Sequence, residues 1–202
     1  MHRSLTVCVL CVFMLLTACG RSLPTRYFLL ESPHTPMNVD SLPPTNLRLA
    51  QVSVPEYLDR NGIVSRKKGS TELIVSQFHV WAEPVAKGVR RLLQEGLSAP
   101  LLAANINVLA PGDDASAEYA LFVDVQRLDG NFHDEAVLEI RWTLKNNSNA
   151  ILDKGIYADR EAVPGDTYDI LIAAESRMLN RMVAHLAQRL PAMFQKNHAS
   201  RR

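Results

Sequence analysis

Leu138-Glu139-Ile140-Arg141-Trp142-Thr143-Leu144-Lys145 alternates apolar and polar side chains without a break, and the reading of the fold grows outward from it. A period of two puts Leu138, Ile140, Trp142 and Leu144 on one face and Glu139, Arg141, Thr143 and Lys145 on the other. That is the pattern of a strand with one face in a core and one in water. Upstream, Tyr119, Leu121, Val123 and Val125 share a face, with Ala120 and Phe122 opposite. Between the two segments, Asp129-Gly130-Asn131 predicts a hairpin turn. Downstream, Asn146-Asn147-Ser148-Asn149 turns the chain and Ile151 to Glu161 returns. The sequence predicts an antiparallel meander.

Helical periodicity flanks this meander. Glu83-Pro84 suits a helix start, where proline loses no hydrogen bond and a carboxylate meets the positive end of the dipole. Val85, Val89, Leu92, Leu93 and Gly96 then fall on one face, and Pro100 is expected to close the helix or its short extension. Near the other end, Pro164-Gly165-Asp166 breaks the pattern and Asp166 or Thr167 can cap a second helix. Leu179, Val183, Leu186, Leu190 and Phe194 form its apolar stripe. Shorter strand candidates are Tyr27 to Leu30, Leu47 to Val54, Ile63-Val64, Leu73 to Val75 and Ile106 to Leu109. Together these predict one layered α/β domain over residues 27–198, with a mixed, largely antiparallel sheet and two main helices. Four of the eleven prolines lie between residues 32 and 45, which reads as an extended connector, and residues 199–202 as a tail.

The first eighteen residues stand apart. His2 and Arg3 precede the apolar run Leu5 to Leu16, which is shorter than the roughly 20 residues a membrane-spanning helix needs. A basic head, a short apolar run and small residues mark a secretory signal over residues 1–18. Leu16-Thr17-Ala18-Cys19 fits the lipobox of bacterial lipoproteins, so cleavage before Cys19 and lipid on its sulfur are expected. Residues 19–26 then form the lipidated start and tether. Two or more acyl chains anchor stably, at about 0.8 kcal/mol per buried CH₂. In enterobacteria an Asp after the lipidated cysteine commonly retains a lipoprotein in the inner membrane. Gly20 stands there instead, which points to the outer membrane, facing the periplasm. Cys8 and Cys11 leave with the signal, so the processed domain is expected to rest on its core without a disulfide.

Basic and acidic residues are nearly balanced, for a formal net charge of +1, and the one run of three cations is Arg66-Lys67-Lys68, beside the terminal pair Arg201-Arg202. That excludes the phosphate-neutralising surface of a nucleic-acid binder. The glycines are isolated, with neither a P-loop nor a dinucleotide fingerprint, and no Gly-x-Ser-x-Gly elbow occurs. No two histidines stand at metal-ligand spacing. His133-Asp134-Glu135 is read as the polar end of a turn, His185 as a helix-surface residue, and Asp124 as an edge or ion-paired carboxylate. No catalytic residue, cofactor or metal is expected, and the chain is read as not an enzyme.

Several of these pieces recur in one order. The lipobox is followed by Tyr27-Phe28-Leu29-Leu30, then by Val54-Pro55-Glu56-Tyr57-Leu58-Asp59-Arg60 with Ile63-Val64, and then by Trp81-Ala82-Glu83-Pro84 at the helix start. In this the chain resembles the ABC-type transport auxiliary lipoprotein family. The resemblance implies a lipid-anchored accessory to an intermembrane lipid transport system that contributes to envelope integrity. Its implied partner is an MCE-domain protein, and it implies ring-shaped homo-oligomers. Tyr57, Asp59, Arg60 and Trp81 are the interface candidates. Trp81 also reads as a core residue, and Asp59 and Arg60 as a local ion pair. Two other functions fit the residues: a structural lipoprotein of another outer-membrane assembly, and a single-domain lipid carrier.

Overall fold

The computed structural model describes residues 23–32 and 42–199. Cys19, the signal segment, most of the proline-rich connector and residues 200–202 of the tail lie outside the described residues. Among the described residues, eight strands and two helices follow in the order β1 (Arg26–Phe28), β2 (Thr45–Ser53), β3 (Gly62–Arg66), β4 (Leu73–Trp81), α1 (Val85–Ala103), β5 (Ile106–Leu109), β6 (Tyr119–Gly130), β7 (Asp134–Asn146), β8 (Ile151–Val163) and α2 (Tyr168–Ala199). The expected fold class, one α/β domain with two main helices, is the one observed. The strands divide between two mixed sheets, a five-stranded one ordered β5-β2-β6-β7-β8 and a three-stranded one ordered β1-β4-β3.

The large sheet grows from the predicted meander. β6, β7 and β8 pair antiparallel, while β2 runs parallel to both β5 and β6. Tyr119, Leu121, Val123 and Val125 of β6 are buried with Leu138, Ile140, Trp142 and Leu144 of β7, as the alternation requires. The helices cover that face. Every residue of the expected α2 stripe, Leu179, Val183, Leu186, Leu190 and Phe194, is buried, and the Phe194 ring stacks on Tyr119 at 4.1 Å. The helices cross closely at Gly96, where a Cβ would stand 2.8 Å from a Val183 methyl carbon.

Three local expectations change. α1 begins at Val85 and runs past Pro100 to Ala103. The proline deprives the Gly96 carbonyl of its donor, but Pro100 and Leu101 are both buried, so packing holds the last turn. Asp129-Gly130 is not the hairpin turn. An irregularity between Val125 and Arg127 shifts the register, and β6 continues to Gly130, with the turn falling at Asn131-Phe132-His133. Asp124 sits on the central strand β6 rather than an edge, and its carboxylate accepts a hydrogen bond from Ser53 Oγ at 2.8 Å and another from Gln126.

The edge strand β8 is fastened to α2 by charge. Asp153, Tyr157, Asp159 and Glu161 meet Arg189, His185, Arg181 and Arg177, which recur every four residues along the helix. Arg189 binds Asp153 at 2.9 Å and Arg177 binds Glu161 at 2.9 Å. Arg181 bridges Asp159 at 2.7 Å and Glu161 at 2.8 Å, and His185 packs on Tyr157. Gly155 lets Trp142 lie flat in this row, since a Cβ there would be 2.8 Å from the indole.

Candidate partner interface

The segment Pro55 to Arg60 leaves β2 as a tight turn. The Leu58 amide donates to the Pro55 carbonyl at 2.9 Å and the Asp59 amide to the same carbonyl at 3.2 Å. Leu58 is buried and pins the turn to the core. Tyr57 reaches inward, and its hydroxyl donates to Asp129 at 3.0 Å. Arg66 of β3 grips the same carboxylate through Nε and Nη2, both at 3.0 Å. Arg127 adds Nε at 3.1 Å and Nη2 at 3.0 Å.

Asp129 is fully buried, so this arrangement is an electrostatic lock. Burial alone would push its carboxyl up, but the Arg66 and Arg127 hydrogen bonds, the Arg127 charge and the Tyr57 hydroxyl together hold it below the usual carboxylate range. Burial, reinforced by the Asp129 charge, pushes the Tyr57 phenol up, so it remains a donor. On the neighbouring helix, burial drives the Glu175 carboxyl well above its ordinary value, and the Asp129 charge adds to this. Burial thus favours the protonated form of Glu175, and among the described residues its Oε2 has no hydrogen-bond partner. Protonating a buried acid beside a buried anion relieves the repulsion of two like charges in a low-dielectric region.

The lock gives the turn a fixed outer surface. Glu56, Asp59 and Arg60 are exposed, and among the described residues neither Asp59 nor Arg60 forms an ion pair. Trp81, the last residue of β4, joins this region through its amide, which donates to the Asn61 carbonyl at 2.7 Å. Its side chain is partly buried against the core. The fold thus brings Trp81 to the end of the turn carrying Asp59 and Arg60, while Tyr57 serves as the turn's internal anchor. A second clamp lies beside it. Arg91 of α1 bonds Glu83 at 2.8 Å, Glu95 at 3.3 Å and the Leu30 carbonyl at 2.9 Å, tying the first strand to the helix start.

The sequence reading missed Asp129, Arg66 and Arg127. The available signal was an Asp two residues after an Arg in a strand, with a second Arg ending the strand after the Tyr57 turn. His133 closes the β6–β7 turn at a φ of 56°, and Asp134 and Glu135 open β7. Their carboxylates pair with Lys68 and Arg160. Among the described residues no group of three acidic, histidine or cysteine side chains is placed to hold a metal.

The family model for the ABC-type transport auxiliary lipoprotein component matches residues 27–187, spanning β1, the locked turn, both sheets and most of α2. The chain belongs to that family. Its curated relatives include the intermembrane transport lipoprotein PqiC of Escherichia coli, 25% identical over 144 residues, 71% of this chain and 74% of the relative. PqiC of Shigella flexneri matches to the same extent. Among solved structures, a Xanthomonas campestris protein superposes with a TM-score of 0.73 at 16% identity, covering 87% of this chain and 99% of that one. An uncharacterized protein superposes with a TM-score of 0.68 at 21% identity, covering 82% and 97%. At these identities the two likenesses show the fold. Family membership makes the chain an auxiliary lipoprotein component of ABC-type transport, with its location in the envelope.

Proposed function

We propose that this chain is the non-enzymatic outer-membrane component of an MCE-type lipid transport system that supports envelope integrity. Lipid on Cys19 fixes it to the periplasmic side of the outer membrane, and it docks the distal end of an MCE-domain protein as a homo-oligomeric ring. The observation that carries this reading is the family match across nearly the whole described chain, supported by the intermembrane transport named for the PqiC relatives.

The docking contact is assigned to the turn carrying Asp59 and Arg60, with Trp81 at its base. A rigid, charged turn meets a partner at small entropic cost, because the Asp129 lock has already fixed its backbone. Mild crosslinking in cells followed by purification tests the reading. It predicts an MCE-domain subunit bound to a ring of this chain, with Arg60→Glu weakening recovery of that subunit and leaving the fold intact. A lone monomer with no such subunit contradicts it.

A further inference from the structure

β8 is an outermost strand of the large sheet, and among the described residues no strand pairs with its free side. From Asp153 to Val163 its register with β7 is unbroken, so side chains and main-chain groups alternate strictly. The odd-numbered residues face α2 and bond β7. Lys154, Ile156, Ala158 and Arg160 turn their side chains to the helix-free face and their N–H and C=O groups to the open edge. Two of those amides are taken. The Lys154 N–H donates to Asp153 Oδ1 and the Arg160 N–H to Asp159 Oδ1, both at 2.8 Å. Arg189 and Arg181 hold the same two carboxylates through Oδ2, so the arginine row also shields both ends of this edge. Between the shielded ends, the amides of Ile156 and Ala158 have no partner among the described residues. Ile156 is also the most exposed large apolar side chain described, at 73%.

The charge around this window is polarised. On the helix-free face, Arg141 of β7 lies opposite Ile156, and Lys154 precedes Ile156 by two residues. Both cations are exposed, and neither forms an ion pair among the described residues. At the other end Glu139 lies opposite Ala158, while Arg160 is matched by Glu135. On the α2 side Arg177, Arg181 and Arg189 already match the acids of β8. Two unmatched cations thus flank the exposed isoleucine. We propose that the Ile156–Ala158 edge is a strand-addition site for an extended segment of the docking partner, with an apolar side chain against Ile156 and a carboxylate beside Lys154 and Arg141. An extended chain completes the open amides and carbonyls together, and its alternate side chains supply the selectivity. A second copy fits less well. Self-pairing that matched both windows, antiparallel about Tyr157, would set Lys154 directly opposite Arg160 of the other copy, and like charges so placed are destabilising. This inference rests on the MCE-domain partner given under Proposed function and adds a second contact to the 55–60 turn.

The test uses the full chain in cells, with a photo-crosslinking amino acid at position 156 or, on the exposed side of the 55–60 turn, at position 56. Position 156 is expected to crosslink to the MCE-domain subunit, in a peptide that mass spectrometry shows to alternate apolar and acidic residues. Ala158→Pro removes one open N–H, and an edge strand tolerates proline where its N–H faces solvent. The melting temperature should therefore hold while the crosslink at 156 falls about tenfold. Lys154→Glu, a change at an exposed side chain, should lower that crosslink several-fold, and Lys154→Arg should keep it. The inference is overturned if the crosslink survives both Ala158→Pro and Lys154→Glu, or if position 156 captures a second copy or any other protein. It is also overturned if 156 captures nothing while 56 still captures the MCE-domain subunit, a pattern that leaves the docking reading in place. If neither position captures that subunit, the reading and the inference fall together.

Discussion

In the five-stranded sheet, the inward side chains of β7 are buried beneath α2, and the edge strand β8 is tied down by Arg177, Arg181 and Arg189 on its acidic residues. In the three-stranded sheet, β1 is three residues long, Ile74 and Val75 of β4 reach solvent, and Tyr27 is among the most exposed large apolar residues described. The first arrangement spends most of its apolar residues on stability. The second leaves more of them in solvent. Asp129 stands where the two meet, on β6 of the large sheet yet gripped by Arg66 of the small one, so the division of labour depends on a single buried anion.

The largest expected effect comes from breaking that junction. Asp129→Ala would strand two guanidinium groups and a phenol around an empty site, and removing one partner of a buried charged cluster costs about 3–5 kcal/mol. Chemical denaturation should show this loss, together with faster proteolysis in the 55–60 turn. Glu175→Gln comes next and acts through pH. With its folded pKa far above its ordinary value of 4.5, Glu175 binds a proton in the folded state that the unfolded chain releases. Its penalty is therefore absent below about pH 4 and grows as pH rises. Glu175→Gln should raise the melting temperature at pH 8 and leave it unchanged near pH 4. Asp129, with its depressed pKa, has the opposite sign, and its contribution is lost as pH falls into the acid range.

Smaller changes separate the sheets further. Gly155→Val would drive carbon into the Trp142 ring, and overpacking of this kind costs about 1–3 kcal/mol. Arg181→Ala removes two partly exposed ion pairs, so less than about 1 kcal/mol is expected, shrinking with added salt. Tyr27→Ser should alter stability by no more than about 0.5 kcal/mol. A large loss at Tyr27 in lipid-free protein would erase the contrast between the sheets, since the residue would then belong to the core.

What the sequence disclosed follows the range of the interactions involved. The β7 alternation and the α2 stripe are set within one element by its own repeat, and both appear in the structure residue for residue. Partnership between strands is set across long stretches of chain. The parallel pairing of β2 with β5 and β6, and the removal of β1, β3 and β4 to a second sheet, have no local signature. Asp129-Gly130 misled for a related reason. The dipeptide has turn chemistry, but a register shift just before it, the neighbouring Arg127 and the distant Arg66 make the burial of Asp129 favourable. Pro100 likewise reads as a stop until the burial of Leu101 against the domain is known. At the candidate interface, Tyr57, Asp59, Arg60 and Trp81 were legible as a neighbourhood. The inward direction of Tyr57 was not, because its acceptor, Asp129, lies 72 residues further along the chain on β6.

The measurement that bears most directly on the whole account is the intact mass of the protein extracted from cell envelopes. The account predicts a chain beginning at Cys19 and heavier than its residues by a diacylglyceryl group and an amide-linked acyl chain. A chain that still carries residues 1–18, or one that begins at an unmodified residue, would contradict it.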